Sequence, residues 1–308
     1  MDSKPIFDEI FQRVSKGNII SPRGSKVIEV ENFMYELPPY VKFQNYDVRK
    51  LKFNYIKQEL LWYLRHNVHD TSIVNFASIW KDLIQPNGTI NSNYGAHLFD
   101  TVKTNRSSSQ FLNVVDILRK DADSRRASMV ILTDNHLLCD IDVPCTYSLN
   151  FRIRNNKLNM TVHMRSQDAI FGMGNDAPAF SMIHEMVLNM LEADYPELTL
   201  GNYTHFADSF HVYERHFELL EKERAFFNQE EIKIALCSLK ELIIDDCVND
   251  FDIGLYNKLL SEKRRIIANL LVSEEKMEQN FNKLLLSYER DKAFFEREME
   301  KFFNVRNG

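Results

Sequence analysis

The sequence predicts an α+β protein, on three observations. Stretches with apolar residues at helical spacing (6–16, 46–66, 111–120, 179–193) are interspersed with short β-rich or alternating stretches (27–30, 129–132, 147–153, 158–164). At 308 residues the chain is long enough for one large domain, or a domain with an appendage. Its composition, 44% apolar and 27% charged with 9 Gly and 8 Pro, is that of an ordinary globular protein without a disordered bias.

Bulk properties exclude some functions. A net charge of -6 argues against a general nucleic-acid binder, which carries a basic surface to replace counterions, yet leaves room for a small anion held by a few arginines. The four cysteines (Cys139, Cys145, Cys237, Cys247) form no C-x-x-C pair and have no metal-ligand spacing with the histidines, so no metal is expected and a reducing compartment is. No apolar run approaches the ~18 residues of a membrane span, and Met1-Asp2-Ser3-Lys4-Pro5 does not open a signal peptide. The expectation is a cytoplasmic protein with no membrane and no nucleic-acid partner.

In chain order, Phe7, Ile10, Phe11 and Val14 mark a first helix stopped by Gly17-Asn18. The turn Ser21-Pro22-Arg23-Gly24-Ser25-Lys26 precedes the alternation Val27-Ile28-Glu29-Val30, and Arg23 either reaches an anion such as phosphate or is a solvated turn residue. The helix expected over Tyr46 to His66 carries Glu59-Leu60-Leu61-Trp62-Tyr63. A carboxyl among apolar neighbours has the raised pKa a general acid/base needs, although a surface glutamate is the competing reading. Residues 71–95 hold Trp80, which is core or a stacking platform, and Ile90-Asn91-Ser92-Asn93-Tyr94-Gly95, which reads as a loop lining a site.

The helix 111–120 ends at Asp121-Ala122-Asp123-Ser124-Arg125-Arg126, where adjacent arginines serve one partner only from a loop or strand end. Val143-Pro144-Cys145-Thr146 then opens a strand, Arg165-Ser166-Gln167-Asp168 reads as a turn, and Gly172-Met173-Gly174-Asn175-Asp176 is a glycine-rich segment ending in a carboxylate. A free thiol has a pKa of ~8.5, and neighbouring cations lower it enough to make a thiolate nucleophile. Arg165 and the pair Arg125-Arg126 are the candidate cations for Cys145, against the alternative of an inert buried cysteine.

Further on, His211 and Tyr213 alternate as strand neighbours do, either facing one pocket or serving as half-buried structural residues. From Glu218 the composition shifts to Lys, Glu, Leu and Phe. Leu260, Ile267, Phe281, Tyr288, Phe295 and Phe302 share a seven-residue register broken at Glu274, which makes a long amphipathic helix with a stripe to bury. The expected division is a catalytic unit over 1–217 and a helical C-terminal extension over 218–308.

Taken as a spaced series over roughly residues 6–217, these segments resemble the thymidylate synthase family. The resemblance implies a mixed twisted sheet at a homodimer interface, covered by helices. It also implies a pyrimidine nucleoside monophosphate as substrate and 5,10-methylenetetrahydrofolate as co-substrate. By the same resemblance Cys145 is the nucleophile and Glu59 the catalytic glutamate. Arg23, Arg165 and Ser166 bind phosphate together with Arg125 and Arg126, which reach across to the other subunit. His211 and Tyr213 hold the sugar, Trp80 and Tyr94 line the folate and nucleotide pocket, Asp168 binds the pterin, and Asp176 faces the base.

Departures from the family pattern narrow the expectation. Pro-Cys-Thr stands where methylating members read Pro-Cys-His, Gly-Met-Gly-Asn-Asp where they read Gly-Leu-Pro-Phe-Asn, and Asn-Ser-Asn-Tyr-Gly where they read Gly-Pro-Val-Tyr-Gly. These variants are similar to the phage deoxycytidylate hydroxymethylases. Uracil offers an N3–H donor and an O4 acceptor, which an asparagine amide satisfies; cytosine reverses both, and a carboxyl fits it when one proton is shared with N3. Asp176 therefore implies cytosine, and the resemblance to the phage enzymes implies a 5-hydroxymethyltransferase acting on dCMP or CMP. A dCMP or dUMP methylase and a non-catalytic nucleotide-binding scaffold are the alternatives.

Overall fold

The computed structural model describes residues 4–39, 53–99, 109–191 and 194–221. The heptad stripe expected beyond Glu218 and the start of the helix expected from Tyr46 lie outside those residues. Helix α1 (Lys4–Val14) buries Phe7, Ile10, Phe11 and Val14, the four residues whose spacing predicts it. Strand β1 (Asn18–Ile20) pairs antiparallel with β2 (Val27–Leu37). Arg23 and Gly24 between them take φ of 49° and 80°, so the turn projects Arg23 into solvent from a left-handed backbone.

Helix α2 (Phe53–Leu64) leads through 3-10 turns at Ser72–Asn75 and Ser78–Leu83 to the short α3 (Gly95–Leu98). A Cβ at Gly95 would fall 1.7 Å from the Tyr63 carbonyl oxygen, so only glycine lets α3 touch the end of α2. Helix α4 (Gln110–Lys120) is capped by the Ser109 hydroxyl, which accepts the Leu112 N–H at 3.2 Å. Then follow β3 (Ser128–Val130), α5 (Asp134–Leu137), β4 (Thr146–Arg154), β5 (Lys157–Asp168), α6 (Gly172–Leu191), β6 (Thr199–Tyr213) and α7 (Glu218–Glu221).

The strands form one mixed sheet in the order β1-β2-β6-β5-β4-β3, antiparallel throughout except for the parallel pair β5/β6 that α6 connects. The fold is α+β. Asn155 and Asn156, with φ of 52° and 55°, make the two-residue β4–β5 hairpin whose positive φ angles suit the twist of the strands. One sheet face is apolar and buried, through Leu149, Phe151 and Ile153 of β4 and Leu158, Met160 and Val162 of β5. Helix α6 packs on β5 and β6 and buries nearly its whole length.

Two local expectations are corrected. Arg165 to Asp168 are the end of β5 rather than a turn, and α6 begins at Gly172, seven residues before the expected 179. Two glycines and Pro178 hide the helix start from propensity, whereas burial of Met173, Ala177 and Phe180 against the core favours it. Asp176 therefore projects from the beginning of a helix. Among the described residues no helix is long and apolar enough to cross a membrane.

Candidate active site

Cys145 stands where the chain enters β4, and β5 brings Arg165 alongside. The Arg165 backbone N–H donates to the Cys145 carbonyl (2.8 Å), and its guanidinium donates to the carbonyls of Pro144 (3.0 Å) and Val143 (2.7 Å). That fork fixes the loop carrying the thiol. The Ser166 hydroxyl donates to the Cys145 sulfur at 3.7 Å. Upstream, buried Asp142 accepts from the backbone N–H of Ser92 (2.7 Å) and from its hydroxyl, while the Asn91 amide donates to the Asp142 carbonyl (2.9 Å). The Asn-Ser-Asn-Tyr-Gly segment is thus tied to the cysteine loop, and Tyr94 stands close enough to feel the charge of Cys145.

The thiol departs from the expectation of a lowered pKa. Burial pushes it up; Arg165 and Ser166 pull it down, and the fields of Asp176 and Asp142 add to the rise. Arg125 and Arg126, both exposed, are not among these charges. Arg125 lines a cavity with Tyr147, Ser148, Arg152 and His163, which belong to the sheet face away from the buried core.

Glu59 is buried on α2, as its apolar neighbours suggest. The Tyr55 hydroxyl, one helical turn earlier, donates to it at 2.8 Å and accepts the Trp80 indole N–H at 2.9 Å. Burial and then the Glu59 charge push the Tyr55 phenol far up, so its proton stays in the hydrogen bond. Trp80 lies edge-on to Trp62, with ring centroids 5.0 Å apart, which makes it both a core residue and a support for the glutamate.

Asp176 accepts from the Gln167 amide at 3.0 Å. Its charge is felt by Cys145, Tyr94, Tyr63 and Tyr55, so it lies within electrostatic reach of the thiol and of the tyrosine that holds Glu59. At the end of β5, Asp168 accepts the backbone N–H groups of Ile170 (3.1 Å) and Phe171 (3.0 Å) and is in register with His211 on β6. Burial depresses the His211 imidazole pKa against the opposing pull of Asp168, and the His211 and Tyr213 rings meet edge-on at 5.0 Å. Burial raises the Tyr213 phenol. Asp168 and Cys145 add to that rise, and Arg215 and Arg23 oppose it, which places the turn arginine within reach of this end of the site.

The structure therefore gathers Cys145, Arg165, Ser166, Tyr94, Glu59 and Asp176, sets Asp168, His211, Tyr213 and Arg23 beside them, and leaves Arg125 and Arg126 apart. Sequence reasoning missed Tyr55, which the four-residue spacing to Glu59 signals. It also missed the Asp142–Ser92 clasp, which no local pattern announces. Among the described residues no group of three or more His, Cys, Asp or Glu gathers as a metal ion requires.

A thiol clasped by an arginine at the mouth of a mixed sheet, with two carboxyls behind it, is equipped for covalent chemistry on a small anionic substrate. A sequence model of the thymidylate synthase family matches residues 15–267, and the chain belongs to that family. Its members are folate-dependent one-carbon transferases that act on pyrimidine nucleoside monophosphates, with methylenetetrahydrofolate as co-substrate. The deoxycytidylate 5-hydroxymethyltransferase of Enterobacteria phage T6 is 28% identical over 215 residues, covering 67% of this chain and 83% of the phage protein. The corresponding protein of Enterobacteria phage T4 has the same identity and coverage. The thymidylate synthase of Buchnera aphidicola subsp. Acyrthosiphon pisum (strain 5A) is 26% identical over 217 residues, covering 68% of this chain and 78% of that protein.

Proposed function

We propose that the chain is a deoxycytidylate 5-hydroxymethyltransferase, converting dCMP, methylenetetrahydrofolate and water to 5-hydroxymethyl-dCMP and tetrahydrofolate. One observation carries the reading: an acid, Asp176, lies near enough to the thiol to raise its pKa, at the position that the family resemblance gives to the base-reading amide of uracil-specific members. An ionised Asp176 opposite uracil sets O4 against a carboxylate oxygen with no proton between them. Such a mismatch costs ~1–3 kcal/mol, roughly tenfold to a hundredfold in discrimination.

In this reading the Cys145 sulfur adds to C6 of the pyrimidine and makes C5 nucleophilic. Glu59, with its hydrogen bond from Tyr55, moves the C5 proton through bound water. Methylenetetrahydrofolate supplies the one-carbon unit that C5 takes up; loss of the C5 proton releases tetrahydrofolate, water adds to the exocyclic carbon, and the Cys145 sulfur leaves C6 as the ring double bond re-forms. Asp168 suits the folate: two backbone amides hold its carboxylate at the rim, and each oxygen retains a lone pair for a pterin N–H. His211 and Tyr213 hold the sugar, and Arg23, Arg165 and Ser166 the phosphate. The exposure of Arg125 and Arg126 away from their own thiol supports a homodimer in which each pair reaches the partner's phosphate. We assign the catalytic unit to residues 1–217.

Mass analysis of products after incubation with methylenetetrahydrofolate and each of dCMP, CMP and dUMP tests the reading. Hydroxymethylated dCMP is expected. A methylated product would identify a methylase, and no product with any nucleotide would identify a scaffold. In Asp176→Asn the preference for dCMP over dUMP is expected to fall by roughly tenfold to a hundredfold; an unchanged preference removes Asp176 from base recognition.

A further inference from the structure

Behind Asp176, away from the thiol, a file of hydrogen-bonded side chains runs through the core. Gln167, only 2% exposed on β5, donates its amide to Asp176 Oδ2 at 3.0 Å, and its Oε1 accepts the Tyr35 hydroxyl at 3.2 Å. The Tyr203 ring stacks beside that of Tyr35, centroids 6.4 Å apart, and the Tyr203 hydroxyl lies 2.7 Å from Nδ1 of buried His205. Tyr35 and His205 are register partners on β2 and β6, their rings stacked 4.9 Å apart at 5°.

An ionised Asp176 only accepts, which turns the Gln167 NH2 toward it and the Gln167 oxygen toward the Tyr35 O–H. Running these two bonds backward needs a protonated Asp176 and an inverted Gln167 amide. Behind Tyr35, burial depresses the pKa of the stacked His205 ring to about 3, so the ring is neutral. Its buried Nε2 has no hydrogen-bond partner among the described residues. Orphaned buried N–H groups are rarer than orphaned acceptors, so the proton sits on Nδ1 and faces the Tyr203 oxygen.

We infer that Gln167, held in one orientation by Tyr35, is a positioning and specificity residue that presents Asp176 to the base as an oriented acceptor. The inference rests on the proposed role of Asp176. The amide donates to Oδ2 and so fixes the carboxyl plane in which the N3 and N4 edge of cytosine is met. Because the carboxyl is kept as an acceptor, the proton it shares with the base sits toward N3. Uracil gains nothing from this arrangement, so the file sharpens discrimination rather than binding in general.

The test uses the full chain and two variants. Gln167→Met keeps the side chain's length and removes both hydrogen bonds; Tyr35→Phe keeps the ring stack and removes only the proton that orients the amide. The dCMP-to-dUMP ratio of kcat/KM is expected to fall roughly tenfold or more in Gln167→Met and by a smaller factor in Tyr35→Phe, with dUMP turnover itself little changed. Equal losses on both nucleotides, as a merely structural residue gives, would overturn the inference.

A second readout needs no turnover: the carboxyl titration of Asp176 in protein labelled with 13C at aspartate Cγ, its signal identified by loss in Asp176→Asn. Among the described residues the titratable groups that feel this carboxyl include Tyr35 from β2, Tyr55 and Tyr63 from α2, Tyr94, Cys145, and Tyr203 from β6. They are common to all variants, so the expected upward displacement in Gln167→Met reports the lost donor. An unmoved titration overturns the inference. A wild-type protein that prefers dUMP defeats the proposed substrate instead, while the titration still decides what Gln167 does to Asp176.

Discussion

The two ends of the site are built differently. At the Cys145 end the polar partners are mostly backbone atoms: Arg165 on β5 grips the carbonyls of Val143 and Pro144 in the segment that leads into β4. At the Asp176 end the partners are side chains from β2, β5 and β6, with Tyr35 and Gln167 separated by 132 residues. The thiol is thus placed by a local ladder of main-chain groups, whereas the carboxyl is placed by the packing of three strands and a helix. A change at the first end should cost chemistry and spare the fold; a change at the second should cost both.

The largest expected effect tests the first half of that statement. Cys145→Ala should lower turnover by about 10^4-fold or more, as loss of a nucleophile does, while the circular dichroism melt stays near wild type. Because burial raises the wild-type thiol, the rate should also climb as pH rises above neutrality. Retained turnover in the variant removes the nucleophile assignment, and a collapsed melt breaks the contrast.

Acid stability tests the second half. The His205 pKa is depressed from 6.5 to about 3, so the folded state holds fewer protons there than the unfolded state between those values. Its contribution is fully present above pH 6.5 and lost as pH falls toward 3, on the order of 4 kcal/mol across the window. Urea unfolding of wild type and His205→Phe at pH 7 and near pH 4 should show the wild type losing more stability than the variant. Parallel losses would mean that no buried neutral imidazole anchors this end.

The smallest effect lies between the two ends. Tyr55→Phe removes the donor to Glu59 and strands the Trp80 N–H, which costs ~1–3 kcal/mol of stability and about tenfold in kcat with little change in KM. A KM effect without a kcat effect would detach Tyr55 from the proton transfers.

Much of the site was legible because its members sit in short stretches. Cys145 after Pro144, Arg165-Ser166, Glu59 among apolar residues and the terminal Asp176 can each be read without knowing what lies across the sheet. Helices α1 and α4 and strands β4 and β5 were equally readable from one-sided periodicity. The start of α6 was not, because Gly172, Gly174 and Pro178 oppose helix locally and burial outweighs them. The sign of the thiol's shift was missed for a similar reason: the arginine is visible in the sequence, while the crowding that overcomes it is not.

What this sequence determined alone is the family, together with candidates for its chemistry on single residues and their near neighbours: a proposed nucleophile, a proposed general acid/base, and an acid in place of an amide. Which groups stand behind that acid was decided only in three dimensions. Tyr35 meets His205 because β2 pairs with β6, and Gln167 meets both Tyr35 and Asp176 because β5 runs parallel beside β6 and α6 folds back over them. Strand order depends on burying one continuous apolar face, a property of the whole chain that no local stretch encodes.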